Sequence, residues 1–183
     1  MNAVILAAGA GTRLGGVAKA LLRVGEDSYL ARILATARAA GLDDAVVVVG
    51  PPHGDAVAAE ARRLGARVVV NAEPARGMAS SIALGFGGLA GGEAAWLWPV
   101  DHPFVRTETL RALIAALAGH AAAKPVYEGR GGHPPLIARS VWPRLADCAA
   151  VGARAVLAQV AVVAVPVHDP GVVRDVDTPE DAA

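Results

Sequence analysis

Short apolar runs alternate with amphipathic stretches along the first two thirds of the chain. Residues 3–6 read as a buried strand. Residues 29–40 carry Leu30, Ile33, Leu34 and Ala37 at helical spacing, and Gly41 follows as a natural C-cap. The valine run over residues 45–49 suits a strand covered on both faces. A helix over 55–64 ends at Gly65, and a strand at 67–70 comes next. A helix starts over 78–84, and a fourth strand spans 94–100. Residues 107–117 read as a helix with Thr107 as N-cap and with Leu110, Leu113, Ile114 and Leu117 on its inner face. Three strand–helix repeats, closing on a fourth strand and a further helix, predict an α/β fold. The expected form is a doubly wound, mostly parallel sheet with right-handed crossovers in three α/β/α layers.

After Gly119 the pattern changes. Residues 125–132 and Pro134-Pro135 are turn-rich, with short strands expected near Val126-Tyr127 and Leu136-Ile137. Short helices are expected over 140–145 and 152–160, and a strand over 162–165. The tail over 172–181 is expected to hold a short strand. Thr178-Pro179-Glu180-Asp181 then reads as a helix start, cut short because the sequence stops two residues later. Without a linker, a solenoid repeat or a low-complexity tract, one domain over residues 1–183 is the simplest organisation.

Composition narrows the function classes. The 183 residues suffice for one full core, and 54% are apolar, largely small alanine and valine. Seventeen basic and 17 acidic residues give a formal net charge of zero. No basic block exists, which argues against nucleic acid or an anionic membrane as partner. A single cysteine, Cys148, forbids an internal disulfide and fits a reducing cytoplasm; it reads as a small buried hydrophobe. The first residues lack the charged and apolar regions of a signal peptide. No uncharged apolar run reaches the roughly 18 residues of a membrane span. The expected location is therefore the cytoplasm.

Candidate chemistry begins in residues 6–22, where the first strand runs into a loop holding Gly9, Gly11, Gly15 and Gly16 with two cations, Arg13 and Lys19. Glycines let backbone N–H groups approach anionic oxygens. Arg13 can fork onto a phosphate, and Lys19 adds a compact charge. An ordinary strand-to-helix turn reads equally well. Lys19 is followed by Ala20, so this is no Walker loop, and the dinucleotide fingerprint fails on its late third glycine. A nicotinamide-dependent oxidoreductase is thereby disfavoured.

Ligands of open α/β sheets bind beyond the carboxyl ends of the strands. That rule gathers the glycine loop, residues 71–81, residues 99–103 and the tail over 175–181 at one crevice. Asp101 ends the apolar run Trp96-Leu97-Trp98-Pro99-Val100; it can hold Mg²⁺ or cap the next turn. Asp175 and Asp177 share one side of an extended tail if Val176 points into the sheet, so one of them can complete a metal site; Asp177 can instead cap a helix. Asn71, Gly77, Met78, Ser80 and Ser81 belong to a turn leading into a helix N-terminus. The two hydroxyls can hold a base edge or ribose, or act as caps. Glu128-Gly129-Arg130-Gly131-Gly132-His133-Pro134 is a charged turn able to shape an acceptor pocket. His53, His120 and His168 look incidental, and no spacing suggests zinc.

Taken in order, Leu6-Ala7-Ala8-Gly9, Arg13, Gly15, Lys19-Ala20-Leu21-Leu22, Gly77-Met78-Ala79-Ser80-Ser81, Pro99-Val100-Asp101-His102-Pro103, Gly132-His133-Pro134 and Asp175-Val176-Asp177-Thr178-Pro179-Glu180-Asp181 resemble the MobA/MocA-like nucleotidyltransferases. The molybdenum cofactor cytidylyltransferase (MocA) type is the nearest subgroup. The resemblance implies a Rossmann-like nucleotidyltransferase fold and transfer of a nucleotidyl group from an NTP to a phosphate-bearing acceptor, with loss of pyrophosphate. A sugar-phosphate nucleotidyltransferase and a non-catalytic nucleotide-binding domain are the alternatives. Residues 1–120 would form the nucleotide-binding half, and 121–183 the acceptor-binding half with the metal-ligand tail. Arg13 and Lys19 would bind the triphosphate, and with Asp101 would form the catalytic set. Asp101 and Asp177 would hold Mg²⁺, with Mn²⁺ as substitute. Leu6, Ala7, Ala8, Gly9, Gly11, Asn71, Gly77, Met78, Ser80 and Ser81 would line the nucleotide, and His102, Gly132, His133 and Pro134 the acceptor. Ala8, in Ala-Ala-Gly rather than Ala-Gly-Gly, favours CTP over GTP. The molybdopterin cofactor would be the acceptor, a molybdoenzyme or its chaperone the receiver of the product, and the protein a monomer or weak dimer. One departure stands out: Val17-Ala18 stands where the family usually has a single variable residue and then proline before the lysine, so no proline precedes Lys19.

Overall fold

The computed structural model describes residues 1–11 and 16–176. The predicted alternation is there: β1 (Asn2–Ala7), α1 (Tyr29–Ala39), β4 (Asp44–Val49), α2 (Gly54–Arg63), β5 (Arg67–Val70), α3 (Met78–Gly87), β6 (Ala94–Pro99) and α4 (Thr107–Ala116). A small hairpin, β2 (Arg23–Val24) with β3 (Asp27–Ser28), falls between β1 and α1; two-residue strands leave no periodicity to read. The second half adds β7 (Ala122–Tyr127), β8 (Arg130–Gly131), β9 (Leu136–Ala138), α5 (Trp142–Ala146), α6 (Ala153–Leu157) and β10 (Val162–Pro166).

Eight of the described strands form one sheet in the order β10-β7-β9-β6-β1-β4-β5, with β8 paired to β7. β1 runs parallel to both β4 and β6, and β4 parallel to β5. β9 runs antiparallel between β6 and β7. The sheet is thus mostly parallel, with two reversed strands, β8 and β9, both in the second half.

Strict alternation in the central strands builds two cores. Ala3, Ile5 and Ala7 of β1 pack with Trp96 and Trp98 against α1, α2 and α4, through Leu30, Ile33, Val57, Leu110 and Leu113. Val4 and Leu6, with Leu97, meet Ile82 and Phe86 of α3 and Trp142 and Leu145 of α5 on the opposite face. Helices on both faces make the three-layer fold. Gly85 lets α3 lie against β1: a Cβ there would stand 2.3 Å from Val4 Cγ1. The N-terminus of α3 is thereby held at the carboxyl end of the sheet.

Four expectations are corrected. Thr107 is the first residue of α4 rather than its cap. Arg106 holds the cap position, and the buried Asp169 accepts from Arg106 N at 2.8 Å and from Thr109 Oγ1 at 2.7 Å. A distant carboxylate thus does the work assigned to a local hydroxyl. The strand near Val126-Tyr127 starts four residues earlier, at Ala122: Pro125 stays in register with Val165 of β10 and falls between the stretches of β7 that pair with β9 and with β8, where a missing N–H is tolerated. Residues 152–160 hold only the short α6. Over residues 172–176 there is no strand; Pro170–Val172 is a single 3-10 turn. The helix start over 178–181 lies outside the described residues.

Candidate functional site

β1, β4, β5 and β6 all end at the same edge of the sheet, and a cleft of about 230 Å³ opens there. Leu6, Ala7, Ala8, Gly9 and Gly11 leave β1 along one wall, with Lys19 beyond them. Gly77, Met78 and Ser81 bring the start of α3 to another wall, and Pro99, Val100 and Asp101 close it from β6. The loop turns back on itself at Gly11, whose φ is +62° and where a Cβ would stand 1.9 Å from the Val17 carbonyl oxygen. Gly16 N donates to Gly11 O at 3.0 Å. Of the residues assigned to triphosphate and metal, Arg13 and Asp177 lie outside the described residues.

Asp101 is pinned from both sides. The buried Trp98 donates through its indole N–H to His102 O at 3.0 Å, and His102 N donates to Pro99 O, fixing the turn that follows β6. The tail returns to this turn, where Val176 N donates to Asp101 O at 2.9 Å and the Val176 side chain is fully buried. Lys19 Nζ lies 3.6 Å from Asp101 Oδ2. Asp101 Oδ1 is buried without a hydrogen-bond partner among the described residues, 3.8 Å from His102 Nε2. A buried carboxylate oxygen left unpaired is costly, and a hard divalent cation such as Mg²⁺ or Mn²⁺ would satisfy it. Asp101 therefore fits a metal ligand. Among the described residues no group of three acidic, histidine or cysteine side chains could hold the ion alone.

Asn71 and Ser80 stand behind the cleft rather than on its wall. The amide of Asn71 donates to Ser80 Oγ and to Ser81 Oγ, both at 2.9 Å, while its oxygen accepts from Glu73 N at 3.0 Å. Ser80 Oγ donates in turn to Gly77 O at 2.8 Å. Asn71 and Ser80 are thus a buried clamp on the start of α3. Ser81, which lines the cleft, receives its hydrogen bond from the clamp, and among the described residues its own O–H has no acceptor.

The residues assigned to the acceptor divide. His133 lines a second cavity of about 600 Å³, whose walls share Leu6, Met78 and Pro99 with the first cleft. His102 does not line it, but its ring centroid lies 5.0 Å from that of His133, and among the described residues each ring keeps a buried Nδ1 without a hydrogen-bond partner. Burial, then the neighbouring His102 and Lys124, lower the His133 imidazole to about 4, against an upward pull from Asp175. It is neutral at physiological pH. Gly132 and Pro134 do not line the cavity: Gly132 N donates to Pro125 O, and the Val172 backbone lies against Gly132. Cys148 is buried, and burial raises its thiol, as suits a core residue.

Two cationic residues of the second cavity, Lys124 and Arg154, were not among the candidates. Lys124 sits inside a strand and Arg154 on a five-residue helix, so neither belongs to a motif. The cue available was Lys124 itself, a lone charge in an otherwise apolar Ala122–Tyr127 run.

Comparison with known proteins gives a family and a shared fold. The sequence profile of the MobA-like NTP transferase domain matches residues 3–165. The chain is 38% identical over 122 residues to the bifunctional protein GlmU of Xanthobacter autotrophicus; it aligns over 65% of its own length but only 27% of that protein. The crystal structure of Rv0371c from Mycobacterium tuberculosis superposes with a TM-score of 0.78 at 27% identity, covering 98% of this chain and 94% of that one. Rv0371c has also been solved as a complex with manganese. A nucleotidyl transferase from Methanothermobacter (Mth528) shares the fold with a TM-score of 0.81 at 21% identity, over 98% and 93% of the two chains.

Proposed function

Because the chain belongs to the MobA-like NTP transferase domain family, we propose that it transfers a nucleotidyl group, CMP in preference to GMP, from an NTP to a phosphate-bearing acceptor and releases pyrophosphate. The molybdopterin cofactor implied by the MocA resemblance is one acceptor of this kind. Residues 1–120 serve the nucleotide, and residues 121–183 serve the acceptor and supply the tail. The observation that carries the reading is one cleft faced by the glycine loop, Lys19, Asp101 and the start of α3, opening into a second cavity across Leu6, Met78 and Pro99. Two substrates need two adjoining rooms, and the reacting phosphates meet at their shared wall.

Lys19, with Arg13, holds the triphosphate and offsets the charge that develops on the leaving pyrophosphate. Backbone N–H groups of the loop and of the α3 N-terminus add further positive potential. Asp101 and Asp177 hold the divalent ion, which supplies charge neutralisation between two anionic phosphates when bound. No general base is required, since a phosphate nucleophile is already ionised at neutral pH. Alignment is the protein's main contribution.

Base choice follows from the Asn71 clamp. Ser81 offers a proton toward the base, and cytosine presents the acceptors O2 and N3 there, whereas guanine's matching edge presents N–H donors. This supports CTP. The test is pyrophosphate release from CTP and GTP with Mg²⁺ over a panel of phosphate acceptors. Wild type releases pyrophosphate from CTP with at least one acceptor and Lys19→Ala does not; equal rates for the two proteins would refute the assignment.

A further inference from the structure

The second cavity is built unlike a polyol site. Its walls are Ile82, Leu97, Leu157 and Val162, with Met78 at the mouth, where Met78 is 61% exposed and Val162 39% exposed. At about 600 Å³ it matches the size of small-molecule sites. Among the described residues the polar side chains lining it are His133, Lys124 and Arg154, and no carboxylate lines it, though Asp175 lies near enough to act on His133. In a chain of balanced charge that is a local cationic excess. Lys124 is directed by its surroundings: its ammonium lies across Gly131, where a Cβ would stand 2.7 Å from Nζ. His133 is engaged with the Leu97 backbone and its Nδ1 is buried, so the charge on this wall comes from Lys124 and Arg154.

We propose that this cavity takes a phosphomonoester with an apolar body, alkyl or aryl, and that Lys124 and Arg154 bind its anionic charge. The inference rests on the nucleotidyl-transfer reading above and names the acceptor class for it. A sugar phosphate would bring several hydroxyls against aliphatic walls that offer them no partners, and a buried hydroxyl left unpaired is costly. An alkyl or aryl body gains from the same walls. The phosphate keeps its charge because two cations replace its water.

The experiment is calorimetric titration of the full chain with Mg²⁺ and a non-hydrolysable CTP analogue. The titrants are 1-naphthyl phosphate, glucose 1-phosphate and uncharged 1-naphthol. The expected order is naphthyl phosphate tightest, with each of the others weaker by about tenfold or more. Lys124→Ala/Arg154→Ala, two exposed positions, weakens naphthyl phosphate by about tenfold or more and leaves naphthol unchanged. Glucose 1-phosphate bound as tightly as naphthyl phosphate, naphthyl phosphate not bound at all, or a double variant that binds it like wild type would each overturn the proposal. Binding of the CTP analogue is read in the same cell: its absence alongside tight naphthyl phosphate binding overturns the nucleotidyl-transfer reading and leaves the cavity assignment standing.

Discussion

On the β1–β4–β5–β6 side every strand is parallel, so all four end at one edge of the sheet, and the segments that follow β1, β5 and β6 line the first cleft. On the β7–β9–β10 side the reversed β9 removes that common edge. The second cavity there is made from the side of strand β7, the flank of α6 and the start of β10. The first region concentrates backbone amides, Lys19 and Asp101; the second offers aliphatic walls and two cations. Parallel strand ends suit a ligand recognised by its charge pattern. A wall of side chains suits a ligand recognised by shape and apolar area, and such a wall can change without disturbing the sheet.

This contrast can be broken by mutation. The largest effect is expected at the strand-end cleft: Asp101→Ala should lower turnover by about 10²–10³-fold, the range seen when a charge-stabilising group is lost, while thermal unfolding shifts by only a few degrees. Turnover near wild type would detach Asp101 from the chemistry.

Next comes acid stability, set at the junction of the two regions. The His133 imidazole is lowered from 6.5 to about 4 in the folded protein. Above pH 6.5 it is neutral folded and unfolded alike. As pH falls from 6.5 towards 4 the unfolded chain takes up its proton first, so stability drops, by up to about 3 kcal/mol, and levels off below pH 4. His133→Gln should flatten that fall in chemical denaturation across the same pH window; an unchanged slope would contradict it.

A smaller effect separates two neighbouring tryptophans. Trp98 donates to His102 O, whereas the buried Trp96 Nε1 has no partner among the described residues. Both substitutions to Phe leave a similar void, but Trp98→Phe should cost about 1–2 kcal/mol more, and it alone should lower turnover by loosening the Asp101 turn. The smallest effect is expected in selectivity: Asn71→Ala should cut the CTP-over-GTP preference by about tenfold, roughly the worth of one hydrogen bond, with Asn71→Asp unable to restore it because a carboxylate cannot donate to Ser81.

How far the sequence carried differed between the same two regions. Valine runs such as residues 45–49 and the spacing of Leu30, Ile33 and Leu34 state their strand and helix outright, because a strand packed on both faces has no polar positions to confuse it. Lys19, Asp101, Met78 and Ser81 could be placed together because one topological rule sends all their loops to one edge. Lys124 and Arg154 could not, since their meeting depends on the reversed strand and on how α6 docks, and local spacing specifies neither. Asn71 reads from the sequence as part of the nucleotide wall; in the structure both its amide protons are taken by serines, a fact visible only once α3 is packed. Asp169 capping α4 from sixty-odd residues away is illegible for the same reason.

The central claim is that the strand-end cleft binds a nucleoside triphosphate with its metal. Equilibrium titration of the full chain with CTP, in Mg²⁺ and then in chelator, tests it most directly. Affinity in Mg²⁺ should exceed that in chelator by about tenfold or more, and Asp101→Asn should erase the difference. CTP binding that ignores both the metal and Asp101, or no CTP binding at all, would contradict the account.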